Sequence, residues 1–89
     1  MRLLLVEDSQ RLRATLVRAL ARLGYAVDEA RDGDEAMASV GLHPSDAIIL
    51  DLMLPGMSGY AVCETIRNEN IILPILILSA RSLPEDRAR

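Results

Sequence analysis

The segment Ala47-Ile48-Ile49-Leu50-Asp51-Leu52-Met53-Leu54-Pro55-Gly56-Met57-Ser58-Gly59 decides how the fold is read. It opens with four apolar residues that do not alternate with polar ones. A continuous run of strand length marks a strand buried on both faces, as in a parallel sheet covered by helices. The run stops at a carboxylate, Asp51, and turn formers follow. Leu3 to Val6 and Ile75 to Leu78 are runs of the same kind. Tyr25 to Glu29 is weaker, because Tyr25, Val27 and Glu29 alternate with Ala26 and Asp28. Alternation and acidity suit an edge strand.

Between these runs, apolar residues recur at helical spacing. Leu12, Leu16, Leu20 and Leu23 form one stripe over Ser9 to Leu23, with Arg11, Arg18 and Arg22 on the opposite side. Gly24 stands where a helix usually stops. Ala36, Met37 and Val40 form a shorter stripe from Asp34 to about Val40, ended by Gly41 and Pro44. Val62, Cys63 and Ile66 form a third over Ser58 to Arg67. The order is β-α-β-α-β-α-β, and connections that each hold a helix favour parallel strands joined by right-handed crossovers. Ser82-Leu83-Pro84-Glu85 has the pattern of a capping box and starts a further helix.

Composition bounds the function. Eighty-nine residues make one domain at most, and such a chain buries only a little more than ~60% of its unfolded surface. The apolar share is 51%, with two Tyr and no Phe or Trp, so the core is aliphatic. That argues against stacking platforms for single-stranded nucleic acid. A net charge of −3 argues against a nucleic-acid or anionic-membrane surface. All ten basic residues are Arg; there is no Lys. The one cysteine, Cys63, excludes an internal disulfide and a multi-Cys metal site, and it reads as a small buried hydrophobe. The apolar runs are far short of the ~20 residues that span a bilayer, and the opening residues do not form a signal peptide. The expected location is the cytoplasm. His43 lies in a turn with no second His near it, and reads as a surface residue.

The polar residues gather where strands end. Glu7 and Asp8 follow the first strand, Asp51 the third and Ser79 the fourth. In an open parallel sheet, ligands bind at the carboxyl ends of strands, where the strand order reverses. If the second and third strands flank the first, Glu7, Asp8 and Asp51 converge there. Three carboxylates in one pocket raise each other's pKa unless a cation sits among them. Oxygen-only ligands select a hard cation such as Mg²⁺, which commonly takes one or two carboxylates, waters and a phosphate oxygen. A carboxylate is also a nucleophile that forms an acyl phosphate. The pocket thus suits metal-assisted phosphoryl transfer to Asp51, with Ser79 in reach of a phosphate oxygen. Taken singly, each acidic residue reads more simply as a helix cap or a solvated loop residue. On composition and topology alone, a plain α/β interaction domain stays open beside the metal site.

With these motifs placed, the chain resembles the receiver domains of bacterial two-component response regulators. The resemblance is carried by Leu4-Leu5-Val6-Glu7-Asp8, by Ile49 to Gly59, and by Pro74-Ile75-Leu76-Ile77-Leu78-Ser79-Ala80-Arg81. It implies an α/β, flavodoxin-like doubly wound parallel sheet with strand order 2-1-3-4. Residues 1–89 would be a receiver domain incomplete at its C-terminus, with no effector domain. Asp51 is implied as the phosphoacceptor for a sensor histidine kinase. Glu7, Asp8, Asp51 and the backbone carbonyl of Met53 are implied as Mg²⁺ ligands, and Ser79 as the switch hydroxyl. Pro55 and Gly59 would shape the loop and helix start after the acceptor. Such a domain is not an enzyme beyond assisting its own phosphorylation and dephosphorylation. The stretch from Asp51 to Cys63, with Ser79-Ala80-Arg81, is similar to regulators whose output is a winged-helix DNA-binding domain. DNA would be reached only through that separate domain.

The sequence departs from the family pattern in one respect. The family continues into a fifth strand ending in a Lys that pairs with the phosphoryl group, and no Lys is present here. Arg81 is a planar fork rather than a point charge and is no simple substitute. Slower transfer and an uncoupled switch are expected. The fourth strand would be an uncovered edge, open to homodimer formation or strand exchange. The alternative function is a catalytically silent receiver that serves as an interaction module. A haloacid-dehalogenase-type phosphatase would want an acid where Met53 stands, and a flavodoxin-like cofactor carrier would want a phosphate-binding loop where Glu7-Asp8-Ser9 stands.

Overall fold

The computed structural model describes residues 1–51, 54, 58–69 and 72–78. Its elements run β1 (Arg2–Val6), α1 (Gln10–Arg22), β2 (Ala26–Ala30), α2 (Gly33–Leu42), β3 (Ala47–Asp51), α3 (Gly59–Asn68) and β4 (Ile75–Leu78). All strand pairs are parallel, and the sheet order is β2-β1-β3-β4. The expected α/β class and strand order therefore hold. Ser82 to Glu85, where the sequence starts a further helix, lies outside the described residues.

Each helix begins on a side chain that satisfies a backbone N–H with no partner inside the helix. Ser9 Oγ accepts from Leu12 N at 3.3 Å, Asp32 Oδ1 from Glu35 N at 2.8 Å, and Ser58 Oγ from Ala61 N at 3.2 Å. At the end of α1, Gly24 has φ +97°. Its N–H donates to Ala21 O, and Tyr25 N–H donates to Leu20 O. These two bonds form a Schellman ending, in which the left-handed residue is normally glycine because a Cβ there is strained.

The two sheet faces differ. Even-numbered residues Leu4, Val6, Ile48 and Leu50 are fully buried against Ala36 of α2 and Val62 and Ile66 of α3. Leu5 is equally buried on the other face, which α1 covers. The α1 stripe is rotated from its sequence expectation. Leu12 is 40% and Leu23 74% exposed, whereas Arg13, Leu16, Val17 and Leu20 are half-buried. Leu23 falls at the C-cap, past the helix proper, so its side chain leaves the stripe. At the far edge, Leu76 and Ile77 of β4 are largely exposed. Among the described residues, β4 has a strand neighbour on one side only.

Candidate functional site

The order β2-β1-β3 places one crossover on each side of β1, so the strand order reverses between β1 and β3. A crevice opens outside the carboxyl ends of strands at such a point. Val6 pairs with Leu50 in register, which puts Glu7 and Asp51 level at the ends of neighbouring strands. The short Glu7-Asp8-Ser9 connection then turns into α1. One carboxylate oxygen each from Glu7, Asp8 and Asp51 lies within 4.8 Å of the others. The sequence placed these three residues in one pocket, and the structure brings them together.

The three differ in surroundings. Glu7 is buried, Asp51 half-buried and Asp8 exposed. Glu7 is held at every polar group of its backbone and by its side chain. Its N–H donates to Ala30 O at 3.0 Å, extending the ladder toward β2. Its carbonyl accepts from Arg13 Nη1 at 2.7 Å, and its Oε2 accepts from Ser9 N at 2.8 Å. Burial pushes the Glu7 carboxyl up to about 7; the Ser9 N–H bond pulls the other way, and the Asp51 and Asp8 carboxylates push it up further. A buried carboxylate beside two others is an unfavourable anion on its own. The donor set is all oxygen, carries excess negative charge and is open to solvent through Asp8. It fits a hard cation bound by carboxylates and waters.

Two expected site residues, Met53 and Ser79, lie outside the described residues, as does Pro55. Gly59 is the first residue of α3 and is buried. His43 is exposed on the loop after α2, as expected. Cys63 is partly buried against the core, and burial pushes its thiol up. One residue beside the site escaped the sequence reading. Arg13, 13% exposed, reaches from α1 to Glu7 and to Glu29. Its signal was present: positions 13, 16, 17 and 20 share one face of a helix, so an Arg sits on the inward stripe.

Fold and site together define a doubly wound α/β domain with an acidic, cation-compatible crevice at its topological switch point. The profile of the response regulator receiver domain family matches residues 3–89. The chain belongs to that family. The transcriptional regulatory protein TcrA of Mycobacterium tuberculosis is 43% identical over 86 residues, which is 97% of this chain and 34% of TcrA. The response regulator TrrA of Thermotoga maritima, in complex with Mg²⁺-BeF, has a TM-score of 0.85 at 33% identity, over 98% of this chain and 74% of that one. A structure of the histidine kinase ThkA in complex with TrrA matches with a TM-score of 0.85 at 35% identity, over 93% of this chain and 72% of the matched one. The chain thus spans 34% of the length of TcrA and 38% of the Mycobacterium avium response regulator MprA. No helix among the described residues is long and apolar enough to cross a membrane.

Proposed function

We propose that residues 1–89 act as one phosphoacceptor unit in which Asp51 receives a phosphoryl group from a sensor histidine kinase. The observation that carries this is the convergence of Glu7, Asp8 and Asp51 at the ends of β1 and β3. In the transfer, an Asp51 carboxylate oxygen attacks phosphorus and the phosphorus–nitrogen bond of a phosphohistidine breaks. The imidazole leaves with that electron pair and takes its proton from solvent. A bound Mg²⁺ would neutralise charge on the transferring phosphoryl oxygens. Glu7, Asp8 and Asp51 would hold the ion, with the Met53 carbonyl as a further ligand and the Ser79 hydroxyl donating to a phosphoryl oxygen. Glu7 is fixed by its Ser9 and Arg13 bonds, so it presents its carboxylate without reorganising.

One relative supports the chemistry, and another the place of such a domain in a longer regulator. TrrA has been seen with Mg²⁺-BeF and in a complex with a histidine kinase. TcrA is a transcriptional regulatory protein nearly three times as long as the matched region, so DNA binding belongs to a separate output domain. The reading places the protein in the cytoplasm and gives it no catalytic turnover on other molecules. It also assigns the edge of β4 that lacks a strand neighbour among the described residues to strand pairing, through a second copy or another sheet edge.

The test is intact mass after incubation with Mg²⁺ and acetyl phosphate. A gain of one phosphoryl group, lost in Asp51→Asn, supports the phosphoacceptor. A folded wild-type chain that gains nothing supports the silent interaction module instead.

A further inference from the structure

We infer that Arg13 is a positioning residue for the Glu7–Asp8 pair, and that it sets the affinity of the acidic crevice for Mg²⁺. The inference rests on the metal reading above. Arg13 lies in the first turns of α1 on the face turned to the sheet, and only 13% of its side chain is exposed. Nη1 donates to the Glu7 carbonyl at 2.7 Å, and Nε donates to Glu29 Oε1 on β2 at 3.1 Å. The Glu7 carbonyl belongs to the peptide that joins Glu7 to Asp8. Holding that plane restricts ψ of Glu7 and φ of Asp8, and with them the directions of the two Cα–Cβ bonds that carry the carboxylates. On the far side of the same residue, Glu7 N–H is held by Ala30 O. The pair is thus pinned from β2 and from α1 together.

The choice of side chain follows from the geometry. A guanidinium offers several N–H groups in a rigid fork, so one group serves a carbonyl and a carboxylate in different elements. Its charge is paired with Glu29, so it supports the Glu7 carbonyl without competing for the crevice carboxylates as a ligand. Groups that orient metal ligands from behind typically change affinity by about 10–100-fold when removed. Arg18 and Arg22 of the same helix are exposed and make no such contact among the described residues.

The experiment uses the full chain and its variants Arg13→Ala, Arg13→Lys and Glu29→Gln. Mg²⁺ affinity is measured by calorimetry well below each melting temperature, and the Asp8 amide resonance is followed by NMR without metal. Arg13→Ala should weaken Mg²⁺ binding about tenfold and shift the Asp8 amide, because the carbonyl of its own peptide loses a donor. Arg13→Lys should recover part of both effects, since an ammonium reaches the carbonyl without the fork. Glu29→Gln should leave Mg²⁺ affinity within about threefold of wild type, because the carbonyl bond remains. A folded Arg13→Ala or Arg13→Lys protein with wild-type Mg²⁺ affinity and an unmoved Asp8 amide would overturn the inference. A wild-type chain that bound no Mg²⁺ would instead sink the metal reading, and the wild-type titration tells the two failures apart.

Discussion

At the scale of single residues, the site is a problem in like charge. Glu7, Asp8 and Asp51 share one crevice, and only Glu7 is buried. Asp8 is the member that can be neutralised with least disturbance to the fold. In Asp8→Asn, the metal-free protein should be as stable as wild type or slightly more so, because one like charge has gone. Its Mg²⁺ affinity should fall at least tenfold, as expected when a carboxylate ligand becomes an amide. Thermal melts with and without Mg²⁺ read both effects, and an unchanged Mg²⁺-induced shift would count against Asp8 as a ligand. Asp51 and Glu7 were legible in the sequence because each closes an apolar run. The burial of Glu7 was not, since it depends on the register of Val6 with Leu50. Arg13 was hidden for a similar reason. Helical spacing gives its face, but its partners on β1 and β2 are set by how α1 lies across the sheet.

At the scale of elements, local rules carried most of the reading. Three uninterrupted apolar runs became β1, β3 and β4, and the alternating segment became β2, an edge strand. Helix starts were set by Ser9, Asp32 and Ser58, whose side chains cap the following turns. The α1 stripe shows where local rules stop. Four leucines at helical spacing suggested the inward face, yet Leu12 and Leu23 are exposed and Arg13 and Val17 turn inward. The helix packs by the width of its whole face rather than by its leucines alone. At the end of α1, Gly24 has φ +97° with open space around the missing Cβ. The cost of Gly24→Ala is therefore backbone strain without a clash, and the variant should lose about 1 kcal/mol. Urea denaturation measures it; a neutral or stabilising result would mean that the left-handed ending is not retained in solution.

For the whole molecule, two surface features set its behaviour in solution. Arg2 and Asp28 join β1 to β2 through paired bonds of 2.8 and 3.0 Å. Hydrogen bonding from Arg2, aided by its charge, holds the Asp28 carboxyl below its ordinary value against a smaller opposing effect of burial. A carboxyl depressed in the folded state stabilises it above the unfolded pKa of about 4. That contribution is lost as pH falls through the lower folded value. Asp28→Asn should therefore flatten the acid limb of the stability curve below about pH 4 and leave the slope at neutral pH unchanged. Equilibrium unfolding across pH checks this, and an acid limb as steep as wild type would contradict it. The second feature is β4, whose Leu76 is 64% exposed on a strand that has a neighbour on one side only among the described residues. If the β4 edge pairs with a second copy, as proposed above, residues 1–89 should self-associate as concentration rises, and Leu76→Lys should shift them toward monomer, because a charge at an edge strand opposes pairing. Light scattering coupled to size exclusion would refute this if wild type stayed monomeric throughout.

On the proposed function, the parallel sheet brings three carboxylates together so that one of them, Asp51, accepts phosphoryl. An acyl phosphate is reduced by borohydride to the alcohol, which converts a phosphorylated aspartate to homoserine. The chain is treated with acetyl phosphate in the presence or absence of Mg²⁺, reduced and mapped by peptide mass spectrometry. Homoserine at position 51, formed only with Mg²⁺, is the predicted result. Homoserine at another position, or none in folded protein with Mg²⁺ present, would rule out Asp51 as the acceptor.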